Sequence, residues 1–456
     1  MKLLTAKRTK KEALRPRNTR LLHQTLNRGA LERSYNLEMR VRIAACALLL
    51  LCDVGNAEKK PATQPEPVTV PAAIDHNRVV VDADIRLPDG STQRVHAWVD
   101  NGNPDLELSR HLATMLGLAV TCDDKACSAP APPAIAIGGM TIALDGIKEA
   151  HIPLKPVSAA SVFAPGLNAE INVPATVLRH YDVLVDYPGR KFSIGAPGSI
   201  HFRGSSGKVQ INADNGLIQL PTQIEKKKYN LALDVGSSIS FLSEDVFDKL
   251  AAAHTDWPHL TGAVGSANMW GLEEEPKWKL MRVDRVQYGP LFLTDVAFVG
   301  LPKTWMDFFE KRAGMPTAGL LGSQALLNYR VGLDYARSTV YFEIGRTFNF
   351  PDFDVIGLVL RPEDDGRFTI LGVADFEGKP SVPQLPDGVQ GGDFLVAVND
   401  IPVRGSTMGQ VWSMLGGTPG QERKLTIERG GKQFVVAARV QHFLAETPDE
   451  QPKRKK

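Results

Sequence analysis

His96-Ala97-Trp98-Val99-Asp100-Asn101-Gly102-Asn103 and Asn230-Leu231-Ala232-Leu233-Asp234-Val235-Gly236-Ser237 are two copies of one pattern, an apolar stretch that runs into Asp-x-Gly. Each copy continues in the same way, with Leu108-Ser109-Arg110-His111-Leu112 after the first and Leu242-Ser243-Glu244-Asp245-Val246 after the second. The step from Asp100 to Ser109 equals the step from Asp234 to Ser243. Each copy also closes alike, with Tyr181-Asp-Val-Leu-Val-Asp186-Tyr187 in one and Tyr329-Arg-Val-Gly-Leu-Asp334-Tyr335 in the other. A repeat of this length is a duplicated lobe. Two lobes that each end an apolar strand in one Asp can bring two carboxylates together across a pseudo-two-fold axis.

The surrounding sequence reads as short strands. Val79 to Leu87 alternates, and Pro88-Asp89-Gly90 then supplies a hairpin turn. The second copy opens likewise with Lys208 to Asp214 and Leu217 to Ile224. After each Asp loop a short helix is expected, over Ser109 to Leu116 and Ser243 to Ala252, each opened by a Ser that can cap it. Later strands also match, Ile137 to Leu144 against Tyr288 to Asp295. The expected fold class is mainly β.

At these residues the chain resembles the aspartic proteases, of the retropepsin-like and pepsin-like kind, over roughly residues 76 to 349. In that family a hydrophobic strand runs into Asp-Thr/Ser-Gly, and a later hydrophobic-hydrophobic-Gly segment threads behind it. Leu320-Leu321-Gly322 stands at that later place in the second copy, whereas Asn172-Val173-Pro174 in the first lacks the Gly. The resemblance implies a bilobal β-barrel fold of the double-psi type and an Asp100/Asp234 dyad as the catalytic pair. Two carboxylates close together hold one proton between them, so one acts as base on a water while the other polarises the peptide carbonyl. Gly102 and Gly236 let the two loops approach, and Ser237 is expected to donate a hydrogen bond to Asp234. The residues after each Asp depart from the family, with Asn101 and Val235 in place of Thr or Ser. A donor left facing Val235 costs on the order of 1–3 kcal/mol, and Asn101, whose amide reaches backbone groups a Thr does not, is the residue placed to compensate. By the retropepsin-like order the flaps are expected at Cys122 to Cys127 and near Gly265 to Gly271. Trp270 is read first as a packed aromatic and Glu273 to Glu275 as a solvated face.

The remaining chain changes character. Residues 350–445 resemble a PDZ domain, through Val355-Ile356-Gly357-Leu358-Val359 and a Gly391-Gly392-Asp393 turn that feeds a strand ending in Asn399-Asp400. Met408 to Leu415 is the expected groove helix, and backbone amides around Ile356, Gly357 and Leu358 are expected to capture a peptide terminus or an extended strand.

With 456 residues the chain is too long for one core. Residues 1–38 read as a probable non-native extension, 39–57 as a signal peptide, 58–75 as a Pro- and Thr-rich linker, 76–200 and 201–349 as the two lobes, and 446–456 as a basic tail. Residues 1–57 carry about +8 of formal charge, which leaves about −6 for the rest of a chain that totals +2. That balance gives no reason to invoke nucleic acid as a partner. Export to a bacterial periplasm or beyond is the expectation, with membrane attachment only if the leading segment is retained. Cys122 and Cys127 suit a disulfide in an oxidising compartment, zinc being the weaker alternative because no His or second Cys pair stands nearby. No cofactor or metal is expected, and the chain is read as a monomer. Two functions stay open: an exported endopeptidase whose C-terminal module recruits polypeptide, and a non-hydrolytic peptide-binding or scaffold protein on the same fold.

Overall fold

The computed structural model describes residues 66–144, 146–154, 166–345, 352–376, 379–380 and 388–444. The expected extension, signal segment and basic tail lie outside the described residues, as do residues 58–65 of the expected linker. Residues 68–75 correct that linker's boundary: Val68–Asp75 is a strand, paired with Lys191–Gly195 on one side and Arg78–Arg86 on the other. Val68, Val70, Ala72 and Ile74 alternate inward, and this periodicity outweighs the Pro- and Thr-rich composition.

The two strands that carry the aspartates are built alike. Thr92–Asp100 pairs antiparallel with Arg78–Arg86 and parallel with Ile171–Pro174, Val99 lying opposite Val173. Lys227–Leu233 pairs antiparallel with Ile218–Ile224 and parallel with Gly319–Leu321, Leu233 lying opposite Leu321. A strand held between two neighbours with both faces covered must be apolar throughout its buried end, and Ala97, Val99, Leu231 and Leu233 are buried accordingly. Each strand then leaves its sheet at the Asp, and a Ser stops the loop. The Leu112 N–H donates to Ser109 Oγ at 2.9 Å and opens the helix Arg110–Met115. The Val246 N–H donates to Ser243 Oγ at 3.4 Å at the start of Glu244–Ala253.

The closing strands of the two copies pair with each other. Asp182–Asp186 runs antiparallel to Tyr329–Asp334. Leu184 and Gly332 each lie three residues after the Tyr that opens the closing segment, and they sit directly opposite one another. The pseudo-two-fold axis therefore passes through this pair, and one sheet of 11 strands runs from one lobe into the other. A single apolar core beneath it takes Val99 and Val185 from the first lobe with Leu233 and Val331 from the second.

The C-terminal module is a sheet in the order Leu358–Pro362, Phe368–Val373, Phe394–Val398, Glu422–Arg429, Lys432–Arg439, with Ile401–Pro402 added beside Phe394–Val398. The helix Met408–Leu415 packs on it, opened by a complete capping box between Thr407 and Gln410. Its core is continuous with the second lobe: Ala263, Val264 and Ala267 belong to the same cluster as Leu358, Leu360 and Trp412. The protein is mainly β throughout.

Candidate active site

Asp100 and Asp234 come together at the junction of the lobes, both almost fully buried. A Cβ on Gly102 would collide with the Asp234 carboxyl group, and a Cβ on Gly236 would collide with Asp100 Oδ1. Each glycine thus lies against the opposite acid, so the absence of a side chain at both positions is what lets the two loops close. Both acids open onto a cavity of about 670 Å³, a volume in the range of clefts that bury a ligand.

The two carboxyl groups have different surroundings. Asp234 Oδ1 accepts the N–H of Gly236 at 2.8 Å and of Ser237 at 3.0 Å. Burial raises the Asp234 pKa, and these two donors oppose the rise. Asp100 is pushed well above the ordinary value of 3.8, first by burial, then by the Asp234 and Glu107 carboxyls, with Asn172 and Arg312 acting the other way. The pair titrates as a unit, and the two backbone donors favour negative charge on Asp234.

The Ser237 hydroxyl corrects one expectation. It donates to Ile239 O at 2.8 Å, and it is the Ser237 backbone N–H that orients Asp234. Asn101, fully buried, crosses to the opposite loop: its Nδ2 donates to Leu233 O at 2.9 Å and its Oδ1 accepts the Val235 N–H at 2.7 Å. One side chain therefore ties both flanks of Asp234. Gly322 packs against Ile239 O with no room for a Cβ. In the first lobe the corresponding support is a side chain: Asn172 accepts the Glu107 N–H at 2.8 Å and donates to Asp105 O at 3.0 Å.

Several residues of the site were not singled out by the sequence analysis. Tyr187 and Tyr335 follow the two closing strands at matching positions, and each reaches behind the other lobe's loop. The Tyr187 hydroxyl meets Ser323 Oγ at 2.7 Å, and Ser323 Oγ donates to Val235 O at 2.9 Å. Tyr335 lies against Asn101, and burial raises both phenols. The repeated Asp-Tyr at 186–187 and 334–335 is the signal that could have found them. Arg312, from the helix Lys303–Ala313, crosses to the first lobe and binds the side chains of Asn103 and Asp105. Arg78 is wholly buried, and its guanidinium nitrogens make no hydrogen bond to a described residue. It pairs with Asp75 across one strand neighbour, and the register that sets Val80 opposite Trp98 places Asp100 on its other side. Asp75, Arg78 and Asp100 thus form a row across three strands, and the carboxylates of Asp75 and Asp100 favour the charged guanidinium while burial opposes it.

The expected flaps fall differently. Cys122 and Cys127 are bonded to each other and close a hairpin that pairs with Glu149–Ile152. Cys127 lines a neighbouring cavity beside the helix Lys303–Ala313 and does not line the cavity of the dyad. The first-lobe wall of the dyad cavity includes Pro153 and Leu154 instead. In the second lobe, Met269, Trp270 and Leu272 line the cavity. Trp270 stacks on Phe241 at 5.1 Å and on Trp305 at 5.9 Å between ring centroids. The expected solvated face at 273–275 is corrected at its last residue. Glu275 is fully buried, accepts the Trp270 N–H at 2.9 Å and the Asn268 side-chain amide, and burial pushes its pKa up to about 7.

No family model and no curated protein sequence matches the chain. Among solved structures it is similar to the crystal structure of aspartic proteinase from Irpex lacteus, at a TM-score of 0.38 and 10% identity, over 61% of this chain and 98% of that one.

Two of the amides expected to capture a peptide terminus, those of Ile356 and Leu358, are already used within the chain. Ile356 N–H donates to Leu415 O at 3.1 Å and Leu358 N–H to Ile356 O at 2.8 Å, while Gly357 O accepts the Ala374 N–H at 2.7 Å. Ile356 and Leu358 are fully buried. Among the described residues no group of three or more His, Cys, Asp or Glu side chains is arranged to hold a metal ion, and no helix is long and apolar enough to cross a membrane.

Proposed function

We propose that this chain is an aspartic-type endopeptidase that hydrolyses polypeptides with Asp100, Asp234 and one water. The observation that carries the assignment is the reciprocal placement of Gly102 against Asp234 and Gly236 against Asp100, because it forces two buried carboxyls to share one cavity and one proton. Asp234, held by two backbone donors, takes a proton from the water as its oxygen attacks the scissile carbonyl carbon. Asp100 gives its proton to the carbonyl oxygen, and a tetrahedral diol results. Transfer of the proton from Asp234 to the amide nitrogen, with return of one diol hydroxyl proton to Asp100, then lets the C–N bond break, leaving a carboxylic acid, an amine and the dyad in its starting state. The cleft's aromatic wall, with Trp270 and Trp305, suits apolar side chains on the substrate.

We assign residues 350–445 to a PDZ-type module, on the Gly392-Asp393 turn into Phe394–Val398 and the helix Met408–Leu415. Export, from the leading segment, and a monomeric state belong to the same proposal. The Asn101 bonds to both flanks of Asp234 favour a working dyad over a non-hydrolytic scaffold, since they replace the hydroxyl contacts that Val235 lacks.

The test is cleavage of an unfolded protein mixture between pH 3 and 8 by residues 58–456, beside Asp100→Asn and Asp234→Asn. Cleavage by the parent that both variants lose with folding intact is expected. A well-folded parent that cleaves nothing at any pH overturns the assignment.

A further inference from the structure

Asn268 pairs with the C-terminal module as though it were a neighbouring strand. The Leu360 N–H donates to Asn268 Oδ1 at 2.9 Å, and Asn268 Nδ2 donates to Leu360 O at 2.9 Å. A residue in an antiparallel ladder exchanges this same pair of bonds with the residue opposite. Among the described residues Leu358–Pro362 stands at the end of its sheet, with Phe368–Val373 on one side only, so the side-chain amide caps a strand edge to which no described strand is paired. Neighbouring contacts hold the same segment there. The Ser266 N–H donates to Asp352 Oδ1 at 3.2 Å, and Glu273 pairs with Arg361. Gly271 turns at φ +66° against Arg361 and Pro362, with no free space for a Cβ. The residues that follow Asn268 at once, Met269, Trp270 and Leu272, are the ones that line the dyad's cavity.

We propose that Asn268 is a positioning residue, which occupies the strand-addition edge at Leu360 and so holds Met269–Leu272 against the cleft. An extended polypeptide that adds to Leu358–Pro362 takes over that edge and releases the wall. The competition is set by tethering. Asn268 contributes two hydrogen bonds to the edge but pays no cost of association, because it belongs to the same chain. An added strand forms more backbone bonds and must first be ordered. The edge therefore stays with Asn268 until polypeptide is abundant, and then the cleft loosens. The effect on turnover rests on the peptidase assignment above, while the attachment of the wall does not.

Amide hydrogen exchange on the full chain tests this, with Asn268→Ala and the isosteric Asn268→Asp, which keeps an acceptor but can donate neither to Leu360 O nor to Glu275, beside Glu275→Gln, which leaves the Leu360 pair in place and controls for the second contact. In both Asn268 variants the amides of Leu360 and of residues 269–272 are expected to exchange together, about tenfold faster or more. A synthetic peptide of residues 263–271, added in excess to the wild-type chain, is expected to speed exchange at 269–272 while Leu360 stays protected. With an unfolded protein as substrate, Asn268→Asp is expected to raise KM several-fold and to change kcat less. Unchanged exchange at 269–272 in folded Asn268 variants, or no effect of the peptide on the wild type, overturns the proposal. If the wild type lacks turnover, the peptidase assignment fails and the exchange measurements still decide this one.

Discussion

Gly102 lies so close to the carboxyl group of Asp234 that the two lobes can meet only while residue 102 has no side chain. Gly102→Ala is therefore expected to push Asp234 away from Asp100 and to lower kcat/KM by about a hundredfold or more. Overpacking of a buried contact also costs roughly 1–3 kcal/mol of stability. Urea unfolding beside initial rates separates the two effects. A variant with full activity would mean that the loops do not close as they are arranged here.

Asn101 carries two buried hydrogen bonds to the opposite loop. Asn101→Ala leaves Leu233 O and the Val235 N–H buried without those partners, at a cost on the order of 3 kcal/mol. A Thr at this position, by Asn101→Thr, should recover only part of this, because a hydroxyl cannot span both groups while Val235 remains. Thermal denaturation of the three proteins gives the ranking.

The row Asp75, Arg78, Asp100 predicts opposite shifts from two substitutions. Loss of the cation by Arg78→Met removes charge that favours an ionised dyad, so the acid limb of the pH–rate profile should move to higher pH. Asp75→Asn leaves the guanidinium facing Asp100 alone, and the acid limb should move to lower pH. Glu107 and Arg312 stand beside Asp100 in both variants and do not change. Equal profiles in folded variants would remove Arg78 from the site's electrostatics.

Glu275 predicts a pH dependence of stability. Its folded pKa of about 7 lies above its ordinary 4.5. Between those values the folded chain keeps a proton that the unfolded chain has lost, so stability falls as pH rises through that window and is level above it. The fall amounts to roughly 3 kcal/mol for this group. Glu275→Gln should shrink the difference in unfolding free energy between pH 4 and pH 8 by about that much. An undiminished difference would place the titration elsewhere.

The parts of this protein that were legible in the sequence are those fixed by near neighbours in the chain. An apolar strand, an Asp-x-Gly turn and a capping Ser nine residues later form a local unit, and the unit occurs twice. Met408–Leu415 was legible for the same reason, since its cap and its apolar face lie within one segment. Glu275 was not, although its partners are near in the chain, because a run of three acids reads as solvated unless the turn that folds Asn268 and the Trp270 N–H back onto its last member is known. Arg78 likewise reads as an ordinary strand-end cation until two neighbouring strands set an acid on each side of it. The module's amides at 356 and 358 show the converse case. Their sequence suggested a vacant capture site, and a helix end together with their own turn had already used them.

The pairing of Asp182–Asp186 with Tyr329–Asp334 also governs when the chain can fold as it is made. During synthesis the first lobe is complete in sequence long before residue 329 has emerged, and until then its closing strand presents an unpaired edge. Such an edge invites pairing with other nascent chains, and contacts of this sequence separation form slowly because a long loop must close first. The first lobe is therefore completed only by the second, and truncation between the end of Asp182–Asp186 and residue 329 leaves that edge without its partner strand.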